Sequence, residues 1–134
     1  MAKLTYIEGI GDQMAEKLRS AGIRSTDQLL KVGATAKGRK KLAEETGISD
    51  KLILKWVNHC DLFRIRGVGS EYAELLEAAG VDSVSELARR EVQTLHRKML
   101  EINLEKNLVR RVPTRNEVMA WVDQAKKLDR VVGH

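Results

Sequence analysis

The chain has one cysteine, Cys60, among its 134 residues. An intramolecular disulfide is therefore excluded, and the count agrees with a reducing cytoplasm. There is one proline, Pro113, and aromatic residues make up only 4%. This scarcity fits an all-helical protein better than a turn-rich β fold. No apolar run approaches the roughly 18 residues that a membrane span requires, and the first residues lack the charged-then-apolar pattern of a signal peptide. No alternating apolar–polar run is long enough for a strand. Catalytic groupings are missing too. His59, His96 and His134 are isolated, no Cys/His spacing suggests zinc, and the acids alternate with Lys and Arg rather than clustering as a two-metal site would need. The expectation is a cytoplasmic, non-enzymatic protein without a metal-ligating side-chain cluster. Cys60 is expected to be an inert core thiol, His59 a helix-surface or boundary residue, and His134 a disordered end.

What is present is a short pattern written twice. Ile7-Glu8-Gly9-Ile10-Gly11 returns as Ile65-Arg66-Gly67-Val68-Gly69. Ala15, Leu18, Ala21, Gly22, Ser25 and Leu29 return at the same offset of 58 as Ala73, Leu76, Ala79, Gly80, Ser83 and Leu87. A lone G-x-G means little, but two copies followed by the same later residues point to an internal duplication. Lys40-Lys41-Leu42 matches Arg97-Lys98-Met99 one residue out of register, and Trp56-Val57 matches Trp121-Val122 after an insertion of about eight residues covering Lys106 to Thr114. The expected organisation is a repeat over 1–64 and a second over 65–134, forming one compact unit or two closely packed halves.

Periodicity and end signals predict four or five helices per half. Gly11 to Ala21 turns Met14, Ala15 and Leu18 inward and stops at Gly22; Ser70 to Ala79 buries Tyr72, Ala73, Leu75, Leu76 and Ala79 and stops at Gly80. Ser25 with Gln28 and Ser83 with Glu86 read as two capping boxes in register, and Thr114 with Glu117 caps the last helix directly after Pro113. A third helix is expected over about Ala36 to Glu45 and Val92 to Ile102. The last helix of each half carries a stripe, Ile53-Trp56-Val57-Cys60 and Val118-Trp121-Val122-Ala125-Leu128, which makes the tryptophans core anchors.

The glycine pattern has a physical logic. Its first Gly takes a positive-φ turn, the apolar residue between the glycines plugs the turn into the core, and the second Gly starts a helix. The result is a helix N-terminus whose free N–H groups and dipole favour an anion, most often phosphate. These residues resemble the helix-hairpin-helix superfamily, and within it the small bacterial proteins of uncharacterised function built only of tandem units. The resemblance covers nearly the whole chain. It implies sequence-independent binding of DNA backbone phosphates by Gly67, Val68 and Gly69, and by Gly9, Ile10 and Gly11. It also implies a monovalent cation on the hairpin carbonyls at the Gly9 and Gly67 turns. The departures from the pattern are acidic: Asp12 follows the first hairpin, Ser70-Glu71 the second, and Glu8 lies inside the first turn. A glycosylase-like reading finds no support, because Asp82 has only Arg24 as its counterpart and no Gly-Pro-Asp signature is present.

The net charge of +5 is unevenly spread. Residues 1–64 carry 12 Lys/Arg against 8 Asp/Glu, and residues 65–134 carry 12 against 11. A basic balance favours a polyanionic partner, nucleic acid first. The candidate contacts are Lys37, Arg39, Lys40 and Lys41; Arg64 and Arg66 beside the second hairpin; Arg97 and Lys98; and Arg110 and Arg111 in the insertion. The paired positions Lys40-Lys41 and Arg97-Lys98 are open between gripping phosphate and forming solvated faces paired with Glu44 and Glu101. Arg110-Arg111 has only Glu105 and Glu117 nearby in sequence to neutralise it. The alternative function is a protein–protein scaffold, which Glu8, Asp12 and Glu71 favour.

Overall fold

The computed structural model describes residues 2–133 and, among them, contains helices and no strand; His134 lies outside the described residues. A 3-10 turn at Leu4–Tyr6 precedes α1 (Asp12–Ser20), α2 (Thr26–Gly33), α3 (Ala36–Thr46) and α4 (Asp50–Leu62). Then follow α5 (Ser70–Ala78), α6 (Val84–Ala88), α7 (Val92–Lys106) and α8 (Arg115–Lys126). The chain divides into two compact units, Met1–Asp61 with Val131–His134, and Leu62–Arg130.

Local chemistry explains where the helices stop and start. α1 ends in a Schellman motif: Gly22 has φ +88°, its N–H reaches Arg19 O at 2.9 Å, and Ile23 N–H reaches Leu18 O at 2.9 Å. α5 ends the same way at Gly80 (φ +92°), with Gly80 N–H on Glu77 O and Val81 N–H on Leu76 O, both at 2.9 Å. Ser25 and Ser83 cap α2 and α6 in nearly identical backbone geometry, each hydroxyl accepting from the third residue of the helix.

The reciprocal half of the expected capping boxes differs from site to site. Gln28 reaches Arg24 N–H rather than Ser25. Glu86 pairs with Arg89 and with Arg90, the latter at 3.1 Å. Only Thr114 and Glu117 close a full box, on α8.

In the first unit the core gathers Leu4, Ile7, Ile10, Leu18, Leu29, Ile53, Trp56 and Val57, all at most 4% exposed. Cys60 is buried, and its burial, with Asp27 and Asp61 adding to it, pushes the thiol far above the usual range. The thiolate, the reactive form, is thereby suppressed. His59 is fully buried rather than on a boundary, as is every residue of α4 from Trp56 to Leu62. Asn58 Oδ1, in the same stretch, is buried without a hydrogen-bond partner.

Arg39 is also buried. Its guanidinium donates to Gly33 O (2.8 Å), Ala34 O (3.3 Å) and Gly133 O (2.7 Å), while Gly133 N–H donates to Ala34 O at 2.8 Å. Arg39 thus satisfies carbonyls that the end of α2 leaves open and holds residues 131–133 in the first unit. Burial lowers its pKa, and Asp50 opposes the shift.

In the second unit, α6 and α7 pack on α8, and α5 packs on α7. Trp121 is 2% exposed and lies with Tyr72, ring centroids 5.2 Å apart, in a core that includes Leu76, Leu87, Leu95, Met99 and Val118. The stripe on α8 ends at Ala125, since Leu128 lies beyond the helix and is 38% exposed. The segment between α7 and α8 starts with Asn107 at φ 51° and is pinned by Asn103, whose side-chain amide bonds both the N–H (2.9 Å) and the carbonyl (3.1 Å) of Val109.

Candidate functional site

The approach to α5 is a pair of tight backbone turns. Ile65 N–H donates to Leu62 O and Val68 N–H to Ile65 O, each at 3.1 Å, and Gly67 between them has φ +94°. Val68 is 5% exposed and plugs the turn into the core. Gly69 is extended (φ −102°, ψ −165°) and precedes α5 without capping it through a side chain.

The approach to α1 has the same geometry. Ile7 N–H meets Leu4 O and Ile10 N–H meets Ile7 O, each at 3.1 Å; Gly9 has φ +93°; Ile10 is buried; Gly11 (φ −89°, ψ −172°) precedes α1 without a side-chain cap. Each turn lies over a tryptophan. A Cβ on Gly9 would come within 3.6 Å of Trp56 Nε1, and one on Gly67 within 2.9 Å of Trp121 Nε1.

The second turn is further held by α8. Arg66 N–H donates to Gln124 Oε1 at 2.9 Å, and Gln124 Nε2 donates back to Arg66 O at 3.3 Å. The peptide of Arg66 is therefore fixed while its side chain is exposed. Beside it opens a cavity of about 490 Å³ lined by Arg64, Arg66, Gln124, Lys127 and Leu128. Arg64 is anchored there by donating to Asp129 O at 2.8 Å. Three cations thus border one concavity next to the turn. Gln124 and Lys127 were not candidates from sequence, since only the fold brings residues 58 and more positions apart to the Gly67 turn.

The other candidate residues lie elsewhere. Lys37, Lys40 and Lys41 are exposed on α3, and Arg97 and Lys98 are exposed on α7. Among the described residues no ion pair joins Lys40 or Lys41 to Glu44, or Arg97 or Lys98 to Glu101. Lys98 Nζ lies 3.8 Å from where a Cβ on Gly80 would be, at the C-terminal end of α5, where Arg90 caps Gly80 O at 2.7 Å. That is one helix length, roughly 14 Å at 1.5 Å per residue, from the turn at its N-terminus. Two candidates need correction. Arg39 is buried in carbonyl contacts, as described above. Arg111 is neutralised by a two-pronged pair with Glu117, at 2.8 and 2.9 Å, so of the two insertion arginines Arg110 alone is left without an acidic partner among the described residues.

The Arg111 pair has its own consequence. Glu117 also accepts from Thr114 N–H at 2.9 Å, and Tyr72 O–H donates to Arg111 O at 2.7 Å. The Arg111 hydrogen bonds, with the Thr114 amide next, hold the Glu117 carboxyl down at about 2, and Glu117 raises Arg111 in turn. A depressed carboxylate stabilises the fold above its unfolded pKa of about 4.3, and that contribution is lost as pH falls through about 2. Glu117→Gln keeps a capping acceptor but not the charge. It should cost up to about 1 kcal/mol at pH 7, because the carboxylate is 35% exposed and solvent screens the pair. In urea unfolding, the gap between wild type and variant should close between about pH 4.5 and 2; a gap unchanged across that window would refute the assignment.

Among the described residues no group of three His, Cys, Asp or Glu could hold a metal ion, and His96 Nε2 lies 2.9 Å from Pro113 O, a structural contact. Around the Gly67 turn the carbonyls that a monovalent cation would use are partly engaged, each keeping one lone pair. Leu62 O, Ile65 O and Arg66 O each accept an internal hydrogen bond, and the adjoining Arg64, Arg66 and Lys127 repel positive charge. At the Gly9 turn Leu4 O and Ile7 O are bonded likewise, and only Glu8 and Asp12 lend it negative charge. No described helix is long and apolar enough to cross a membrane.

No curated protein and no solved structure matches the chain. A family model does, over residues 8–128, a span that opens at the Gly9 turn and closes on Leu128 of the cationic cavity. By that match the chain belongs to the family described as a domain of unknown function, DUF4332.

Proposed function

We propose that this protein is a non-enzymatic, sequence-independent nucleic-acid-binding module, most suited to DNA, built of two diverged helix-hairpin-helix repeats. The observation that carries the reading is that Arg64, Arg66 and Lys127 line one cavity, with Arg66 in the Gly67 turn that leads into α5. Backbone amides at a helix N-terminus and flanking cations together suit a phosphate, and none of them reads a base. Exposed Lys37, Lys40, Lys41, Arg97, Lys98 and Arg110 would add phosphate contacts away from the turn. The first hairpin contributes less in this reading, since Glu8 and Asp12 oppose an anion there.

A second reading, a protein-interaction scaffold, is favoured by one observation. Asp12 and Glu71 occupy the first turns of α1 and α5, where each already complements the helix dipole.

Fluorescence anisotropy of labelled single-stranded and duplex DNA, from about 50 to 200 mM salt, separates the two. The binding constant should fall log-linearly, with a slope near −0.9 per phosphate neutralised on duplex. Arg64→Ala combined with Arg66→Ala should weaken binding and flatten the slope by about two units on that scale. Absence of binding at the low-salt end would reject the nucleic-acid reading in favour of the scaffold.

A further inference from the structure

The cations that line the cavity of the second unit are not repeated at the matching positions of the first copy. At the offset of the hairpins, Tyr6 and Glu8 stand where Arg64 and Arg66 are, and at the offset of the last helices, His59 and Leu62 stand where Gln124 and Lys127 are. The turn geometry has been kept in both units, while Arg64, Arg66 and Lys127 have no cationic counterparts at the matching positions of the first copy. Contact with a continuous backbone would be served by cations spread along a surface, each meeting one singly charged phosphodiester. Here three cations border one concavity. A terminal phosphate monoester carries about −1.5 to −2 charge at neutral pH and has three acceptor oxygens, so it can engage several donors at once.

Size and lining agree with that class of ligand. At about 490 Å³ the cavity is a depression open to solvent and exceeds what a bare ion needs. Leu128 gives it an apolar wall against which a sugar or base can lie. Gln124 holds the Arg66 peptide by two hydrogen bonds, so Arg66 projects from a fixed point, and Arg64 is steadied by its bond to Asp129 O at 2.8 Å.

We propose that this cavity binds the phosphorylated terminal nucleotide of a nucleic-acid strand, giving one end-binding site per chain, in the second unit. The inference rests on the nucleic-acid reading above and narrows its substrate from any backbone to a strand end.

The test compares one short labelled oligonucleotide bearing a 5′-phosphate, a 3′-phosphate, or hydroxyls at both ends, at fixed salt. One phosphorylated form should bind about tenfold more tightly than the hydroxyl form, at one equivalent per chain. Arg66→Gln combined with Lys127→Gln should bring that ratio to about one. Both side chains are exposed, and circular dichroism checks that the variant remains folded; Lys127→Glu alone should also lower the ratio. Equal affinity for all three ends would overturn end binding and leave the backbone reading standing. Failure of every oligonucleotide to bind would overturn both. A free nucleoside 5′-monophosphate that competes as well as the phosphorylated strand would overturn the strand-end assignment in favour of a mononucleotide site.

Discussion

Gly38→Ala should destabilise the protein by about 3 kcal/mol, at the upper end of what overpacking costs, and lower the melting temperature by roughly 10 °C. On propensity alone the change is favourable, since alanine is better than glycine inside a helix by about 1 kcal/mol. Packing reverses the sign. A Cβ on Gly38 would lie 2.1 Å from the backbone oxygen of Val32, with Thr35 Oγ1 at 3.1 Å. Because the obstacle is a carbonyl of α2 and not the end of a flexible side chain, α2 and α3 must separate. That separation strains two neighbouring interactions. Thr35 Oγ1 accepts from Gly38 N–H at 3.0 Å to cap α3, and Arg39, the next residue, donates to Gly33 O and Ala34 O. Urea unfolding of wild type and variant measures the cost. A loss below about 1 kcal/mol would mean that the α2–α3 turn yields without disturbing either interaction.

Gly38 marks the boundary of what could be read from the residues alone. Features set within a few positions were legible: the stops at Gly22 and Gly80, the serine caps of α2 and α6, and the burial of Trp56 and Trp121 in period-3.6 stripes. Helix ends fell within a few residues of expectation because their signals are local; α7 ran four residues past Ile102, to Lys106, before Asn107 turned left-handed.

Long-range pairing was not legible. Arg39 looks like one more cation in a basic run, and only contact with Gly133, 94 residues away, makes it a buried clasp. Arg111 has Glu117 six residues on, a spacing that no helix register suggests, and the loop between them closes the pair. His59 sits beside Cys60 on what looks like a helix edge, and its burial depends on what covers α4. The candidate site divides in the same way. The two turns are written in the glycine pattern, whereas Gln124 and Lys127 reach the second turn only through the fold.

Gly67→Ala and Gly9→Ala form the second pair of expected results, and the contrast between them carries the information. Both glycines sit near φ +94°, in a region that L-residues rarely adopt, so each substitution incurs backbone strain of about 1–3 kcal/mol. What lies beneath differs. At Gly9 the new methyl would be 3.6 Å from Trp56 Nε1, an ordinary van der Waals contact, and strain is the whole cost. At Gly67 it would be 2.9 Å from Trp121 Nε1, too close to be tolerated without movement. Trp121 is 2% exposed and lies against Tyr72, so it cannot swing away without disturbing the core of the second unit. Gly67→Ala should therefore cost at least about 1 kcal/mol more than Gly9→Ala. The Arg66 peptide next to it should be displaced from Gln124, so nucleic-acid affinity should fall at a temperature where both variants remain folded. Trp121→Phe added to Gly67→Ala removes the indole nitrogen and should recover part of the excess, whereas Trp56→Phe added to Gly9→Ala should recover none. Equal stability costs for the two alanines would mean that Trp121 gives way freely and that φ alone sets both. Unequal costs with equal binding would separate the second turn's packing from any part in holding phosphate.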